Sequence, residues 1–187
     1  MTRVVSFPPI AHASARILIL GTMPGAASLQ AQQYYAHPRN AFWKILAQLL
    51  RFDPAMDYAA RRCRLIDARI AVWDVLKSCD RPGSLDSNIA GDSIVTNNFS
   101  RFFARHRHIE LVCFNGAAAQ TLFRRHVTAT LADAVQLDYV ALPSTSPANA
   151  SMPVSQKLRR WRAALLCDAT LDGVTSAAPT RPCVPLR

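Results

Sequence analysis

Four short runs of apolar residues set the strongest constraint on what this chain can fold into. They are Ile17–Leu20, Val72–Leu76, Ile109–Phe114 and Tyr139–Leu142. None alternates apolar with polar residues, as a strand with one wet face would. Strands covered on both faces read this way, and such strands belong to parallel sheets. Between the runs lie segments of helical spacing: Phe42–Leu50 (Phe42, Ile45, Leu46, Leu49, Leu50), Ser93–His106 (Ile94, Phe99, Phe102, Phe103), Ala117–Arg125, and Gln156–Cys167 with Leu158, Trp161 and Leu165 inward. The alternation predicts an α/β fold, a three-layer αβα sandwich around a central, mostly parallel four-stranded sheet with right-handed connections.

The chain has 187 residues, enough for one well-buried core. We expect a single domain over residues 1–167. Residues 168–187 carry prolines among small and polar residues without periodicity, and read as a flexible tail. Val4–Ile10 is broken by Pro8 and Pro9 and is too short for a signal-peptide core. No run reaches the roughly 20 apolar residues of a membrane span. The five cysteines (63, 79, 113, 167, 183) form no C-x-x-C pair, so a cytoplasmic, disulfide-free protein is expected; the size fits a monomer, and a nucleic-acid partner would make it nucleoid-associated.

Lys plus Arg number 22 against 12 Asp plus Glu, a formal charge of +10, and only three of the cations are lysine. The planar fork of arginine suits phosphate and base edges, so the excess fits a nucleic-acid partner, although a compositional bias toward arginine gives the same count.

Ligands of open parallel sheets bind beyond the carboxyl ends of the strands. Four turn-forming, polar segments follow the apolar runs there: Gly21-Thr22-Met23-Pro24-Gly25, Trp73-Asp74-Val75 with the loop to Asn88, Asn115-Gly116, and Pro143-Ser144-Thr145-Ser146-Pro147-Ala148-Asn149. Two glycines and a proline make an ordinary tight turn, Asn115 an ordinary helix cap, and the three hydroxyls either a solvated turn or a phosphate cradle. Tyr34–Trp43 is more specific, because it places flat rings beside the neutral amide of Asn40, as a pocket for a heterocyclic base requires.

In this order the segments resemble the uracil-DNA glycosylase superfamily over residues 16–166. Gly21–Gly25 resembles its first motif, and Leu142–Asn149 its second, DNA-inserting motif. His37-Pro38-Arg39-Asn40-Ala41-Phe42-Trp43-Lys44 is similar to the stretch that follows the first motif in the mismatch-specific uracil and thymine glycosylases. Met23 departs from the Asp or Asn that positions water in several branches. The hypoxanthine-DNA glycosylase branch shares that lack, together with a Tyr-Tyr-x-His-Pro-x-Asn-x-Phe-Trp segment, and assigns the essential role to the Asn, here Asn40.

The resemblance thus implies a monofunctional DNA glycosylase that removes hypoxanthine, uracil or both. Asn40 would be catalytic, and Met23, Tyr35, Phe42 and Asn115 would bind the base, with Phe42 stacking on it. Gly25, Ser28, Ser144, Thr145, Ser146, Pro147, Ala148 and Asn149 would contact or wedge into DNA. Cys63 and Cys79 match the spacing of one half of the iron–sulfur ligand set of some members. No cysteine precedes them, so no metal cluster and no cofactor is expected.

No lysine stands near any motif except Lys44 on the helix and Lys77, and no Schiff-base lyase step is expected. An ester or nucleotide hydrolase would need G-x-S-x-G or a P-loop, and neither occurs. A non-catalytic damaged-DNA module and an enzyme mainly for mismatched uracil or thymine stand as alternatives.

Overall fold

The structure is a computed structural model that describes residues 3–131 and 136–166. The suggested tail at 168–187 lies outside them. The central sheet consists of β2 (Ile17–Gly21), β3 (Ile70–Asp74), β6 (Leu111–Asn115) and β7 (Asp138–Leu142), all parallel, in the order β3-β2-β6-β7. Every residue of β2, β3 and β6 is buried, so both faces are covered, as the continuous apolar runs require. β7 is the exposed edge. The register pairs Gly21 with Asp74, Leu20 with Phe114 and Asn115 with Leu142, so all four carboxyl ends emerge at one rim.

Among the described residues, six α-helices accompany the sheet: α1 (Ala26–Ala31), α2 (Phe42–Leu50), α3 (Tyr58–Asp67), α4 (Phe99–Arg105), α5 (Ala117–His126) and α6 (Val154–Leu166). The αβα sandwich is therefore the observed architecture. α2 buries Phe42, Trp43, Ile45, Leu46, Ala47 and Leu49, an apolar stripe at helical spacing.

Two expectations need correction. The run Val72–Leu76 is not one strand. β3 ends at Asp74, and after Val75 the chain enters β4 (Leu76–Asp80), which pairs antiparallel with β1 (Arg3–Val5) and β5 (Val95–Thr96) in a second sheet. The apolar run is unbroken because Val75 and Leu76 are both fully buried at the crossing between sheets. The amide of Asn97 donates to the carbonyls of Asp74 and Leu76 and holds that corner.

The helix expected over Ser93–His106 begins only at Phe99. Its N-cap is Asn98, whose side chain accepts from the Arg101 N–H at 2.9 Å. The β-branched pair Val95–Thr96 just before it is drawn into β5 instead.

Candidate active site

A cavity of about 500 Å³ opens at the carboxyl rim of the sheet, within the size range of small-molecule sites. Gly21–Ser28, Tyr34, Tyr35, His37, Asn40, Asp74, Ser84–Ser87, Asn115 and Ser144–Asn149 line it. All four segments singled out in the sequence meet there.

Thr145 is the joint between them. Its N–H donates to Asn115 Oδ1 at 2.8 Å, and its Oγ1 accepts from Asn115 Nδ2 at 2.9 Å. Its carbonyl accepts from the N–H of Ala41 at 3.0 Å, which brings the Asn40 segment alongside. The backbone N–H can bond only an oxygen, so the orientation of the Asn115 amide is fixed. One N–H and one lone pair of that amide are left for a ligand. Gly116 makes the turn possible: its φ is +105°, and a Cβ there would lie 2.9 Å from Ser144 Cβ.

Asn40 lines the cavity with its Oδ1 accepting from the N–H of Phe42 at 3.0 Å. The bond fixes the side chain at the entrance to α2 and leaves a second lone pair on the oxygen. Met23 lines the cavity with 8% of its surface exposed and offers only a thioether, as its sequence position implied.

Several residues sit differently from the sequence expectation. Phe42 is fully buried and does not line the cavity; the ring of Tyr35 stacks on it at 3.8 Å and 20°. The surface offered to a ligand is therefore that of Tyr35, whose backbone is held in the left-handed region at φ 56°. Thr145 is 1% exposed with its polar groups engaged inside the protein, so it braces the loop and does not face a phosphate. Ser28 is buried too, its hydroxyl accepting from the Ala36 N–H at 3.2 Å, which ties α1 to the tyrosine loop.

Ser144 and Ser146 accept from the N–H groups of Ser146 and Ala148, each at 3.2 Å. Those amides are consequently not an open cradle, and the hydroxyl hydrogens are what remains to donate. Gly25 and Pro147 line the cavity, and Ala148, at the exposed tip of the second loop, does so too.

Lys157 and Trp161 were not singled out as site residues. On α6, Lys157 Nζ donates to the Asn149 carbonyl at 2.7 Å and Trp161 Nε1 to the Pro143 carbonyl at 3.0 Å, gripping both ends of the loop. Their spacing of four residues was the available signal. Lys157 is the lysine nearest the loop, but it is 4% exposed and does not line the cavity.

Asp74 stands in the cavity wall, 3% exposed. Its Oδ2 accepts from the Ser6 hydroxyl at 2.7 Å, and its Oδ1 lies 2.5 Å from where a Cβ on Gly21 would be. Burial raises its pKa from 3.8 to about 7; the nearby Asp86 adds to the rise, while the Ser6 hydrogen bond and Arg81 oppose it. Tyr35 Oη, 2.9 Å from the same point, is buried without a hydrogen-bond partner. Its pKa is raised by burial first and then by Asp74, while Asn115 opposes the rise, so it stays a neutral donor.

Beside these, the fully buried Arg81 donates to the Pro24 carbonyl and pairs with Asp86 at 3.5 Å. Ser84 Oγ accepts from the Ala26 N–H at 2.9 Å, so the 81–88 loop is fastened to the first motif. The described residues hold no cluster of His, Cys, Asp and Glu suited to a metal ion.

The Uracil DNA glycosylase superfamily model matches residues 8–168. Two relatives named hypoxanthine DNA glycosylase align with the chain. That of Methanosarcina barkeri is 38% identical over 59% of this chain and 69% of its own length; that of Methanosarcina acetivorans is 37% identical over 60% and 71%. A solution NMR structure from Methanosarcina acetivorans, of a protein provisionally assigned as a uracil DNA glycosylase, superposes with a TM-score of 0.71 at 31% identity, covering 88% of this chain and 97% of that one.

Proposed function

The chain belongs to the uracil DNA glycosylase superfamily and is a DNA glycosylase, and from that premise we propose that it excises deaminated bases, hypoxanthine foremost and uracil alongside. The observation that carries this reading is the Asn115 amide, locked by Thr145 beside Asn40 in one cavity. The names of the two Methanosarcina relatives support the choice of base.

Hypoxanthine presents a carbonyl oxygen beside a ring N–H, and uracil does the same. The free N–H and lone pair of Asn115 match that order. Adenine and cytosine present the reverse order, an amino donor beside a ring acceptor. A freely rotating amide could turn to suit them, but the Thr145 N–H holds Oδ1 in place. Each buried group left unpaired costs about 1–3 kcal/mol, and that penalty is the discrimination.

A base can reach this cavity only when it is flipped out of the stack. Tyr35 offers the flat surface against which it rests, and the Pro147–Asn149 tip fills the space it leaves. Bond cleavage then runs ahead of water attack, through an oxocarbenium-like sugar. A neutral amide suffices to hold the water for such a late attack. Asn40 Oδ1, pinned by the Phe42 N–H, is the acceptor that orients it, and positioning of this kind contributes several kcal/mol.

The test is single-turnover incubation of duplexes containing inosine or deoxyuridine, followed by hot alkali, which cuts only at abasic sites. Strand cleavage by the wild type is expected on inosine, and a loss of about 100-fold or more in Asn40→Ala with DNA affinity retained. An Asn40→Ala enzyme that keeps its rate would reduce Asn40 to a bracket for α2.

A further inference from the structure

We propose that Asp74 is a second catalytic residue, the general acid that protonates a departing purine at its imidazole nitrogen N7. The inference rests on the glycosylase reading and deepens it.

The geometry is that of a carboxyl group aimed at the cavity. Asp74 ends β3, directly across from Gly21 in the register. Glycine at 21 leaves the space that its Oδ1 occupies, and Oδ1 makes no hydrogen bond among the described residues. Oδ2 is held by Ser6, the residue that follows β1. The proton of a neutral Asp74 therefore has Oδ1 as its free seat, on the cavity side.

The groups around it let that proton persist up to about pH 7. Tyr35 and Tyr34 face Asp74 from the loop before α2 and Tyr58 from α3; all three are phenols held neutral by burial. Asp86 and Arg81 approach from the loop after β4, and their opposite charges are paired with each other. Burial is what remains, and it favours the uncharged acid, with a midpoint near pH 7.

Purines and pyrimidines differ as leaving groups in the feature such an acid addresses. Uracil departs as an anion spread over two carbonyls and has no further ring nitrogen to protonate. Hypoxanthine carries a lone pair on N7, and a proton placed there draws electron density out of the C1′–N9 bond. In the step proposed, the Asp74 proton passes to N7 as the C1′–N9 pair moves onto the base, which leaves neutral. The water held by Asn40 gives its oxygen to C1′, and its released proton returns through solvent to the Asp74 carboxylate.

The sign of the pH dependence follows. The acid form is required, so purine release declines as pH rises through about 7. The experiment measures single-turnover release of hypoxanthine and of uracil from pH 5.5 to 9, in wild type and Asp74→Asn, with a 7-deazahypoxanthine duplex as third substrate. Expected are a wild-type hypoxanthine rate that falls above about pH 7 and a flat uracil rate. Asp74→Asn is expected to lose about 100-fold or more on hypoxanthine. On uracil and on the 7-deaza base its loss should be at least tenfold smaller than on hypoxanthine.

Equal losses on hypoxanthine and uracil in Asp74→Asn, or a wild-type hypoxanthine rate that is flat with pH, overturn the general-acid role. A wild type that releases no base from any of the three overturns the glycosylase reading and this proposal together.

Discussion

At the scale of single residues, side chains without chemistry of their own set the site by fixing those that have it. Thr145→Val keeps the shape of the side chain but leaves Asn115 Nδ2 without its acceptor. A buried donor so orphaned costs about 1–3 kcal/mol, read as a lower urea midpoint. Excision should slow by about tenfold or more at unchanged DNA affinity, because the backbone N–H of residue 145 still holds Oδ1 while Nδ2 loses the bond that sets the tilt of the amide; an unaltered rate would show that the Thr145 hydroxyl does not help to orient it.

Asp74 yields a second residue-scale prediction, from linkage. Its folded pKa, about 7, lies above the reference of 3.8, so the folded state binds its proton more tightly. The associated stability is fully present below about pH 4, declines as pH rises, and is gone once pH passes about 7. Asp74→Asn does not titrate. Its stability relative to wild type should therefore climb between pH 4 and 7 by up to about 4 kcal/mol, then level off. Chemical denaturation of both proteins at pH 4, 5.5, 7 and 8 measures it, and a constant difference would contradict a proton bound in the folded state.

At the scale of elements, α6 holds the second motif from outside the cavity, with Lys157 on Asn149 and Trp161 on Pro143. Lys157→Met keeps the aliphatic stem and removes the bond. We expect faster amide hydrogen exchange over residues 144–149, several-fold weaker DNA binding and little change in global stability; unaltered exchange would mean the loop is rigid by itself. This scale also separates what the sequence displays from what it hides. β2, β3, β6 and α2 were legible because two-sided burial and a helical stripe each leave a local pattern. The second sheet was not, since β1 has three residues and β5 two, too short for any period. In the site, Asn40 and Asn115 stood out at strand and helix ends, whereas Ser6 meets Asp74 across 68 positions and Arg81 meets Pro24 across 57. Pairings of that range depend on tertiary packing, and composition gives no sign of them.

At the scale of the whole molecule, the parallel sheet gives the protein two unlike ends. The cavity lies at the carboxyl rim, while Arg16 precedes β2 and pairs with Glu110 just ahead of β6 at 2.6 Å, at the amino rim. The charge of +10 is therefore not equally useful everywhere on the surface. Arg160 is exposed on α6, one turn from the Lys157 that holds the 144–149 loop, and we expect it to meet the DNA backbone if that loop enters the duplex. Each phosphate neutralised by a cation adds about 0.9 to the slope of log affinity against log salt. Titrating a fluorescent duplex across a series of salt concentrations, we expect Arg160→Ala to lower that slope by about one unit and Arg16→Ala to leave it where it was. Equal effects from the two would mean that the arginines act as a diffuse positive cloud, and that the sheet's polarity does not orient the protein on DNA.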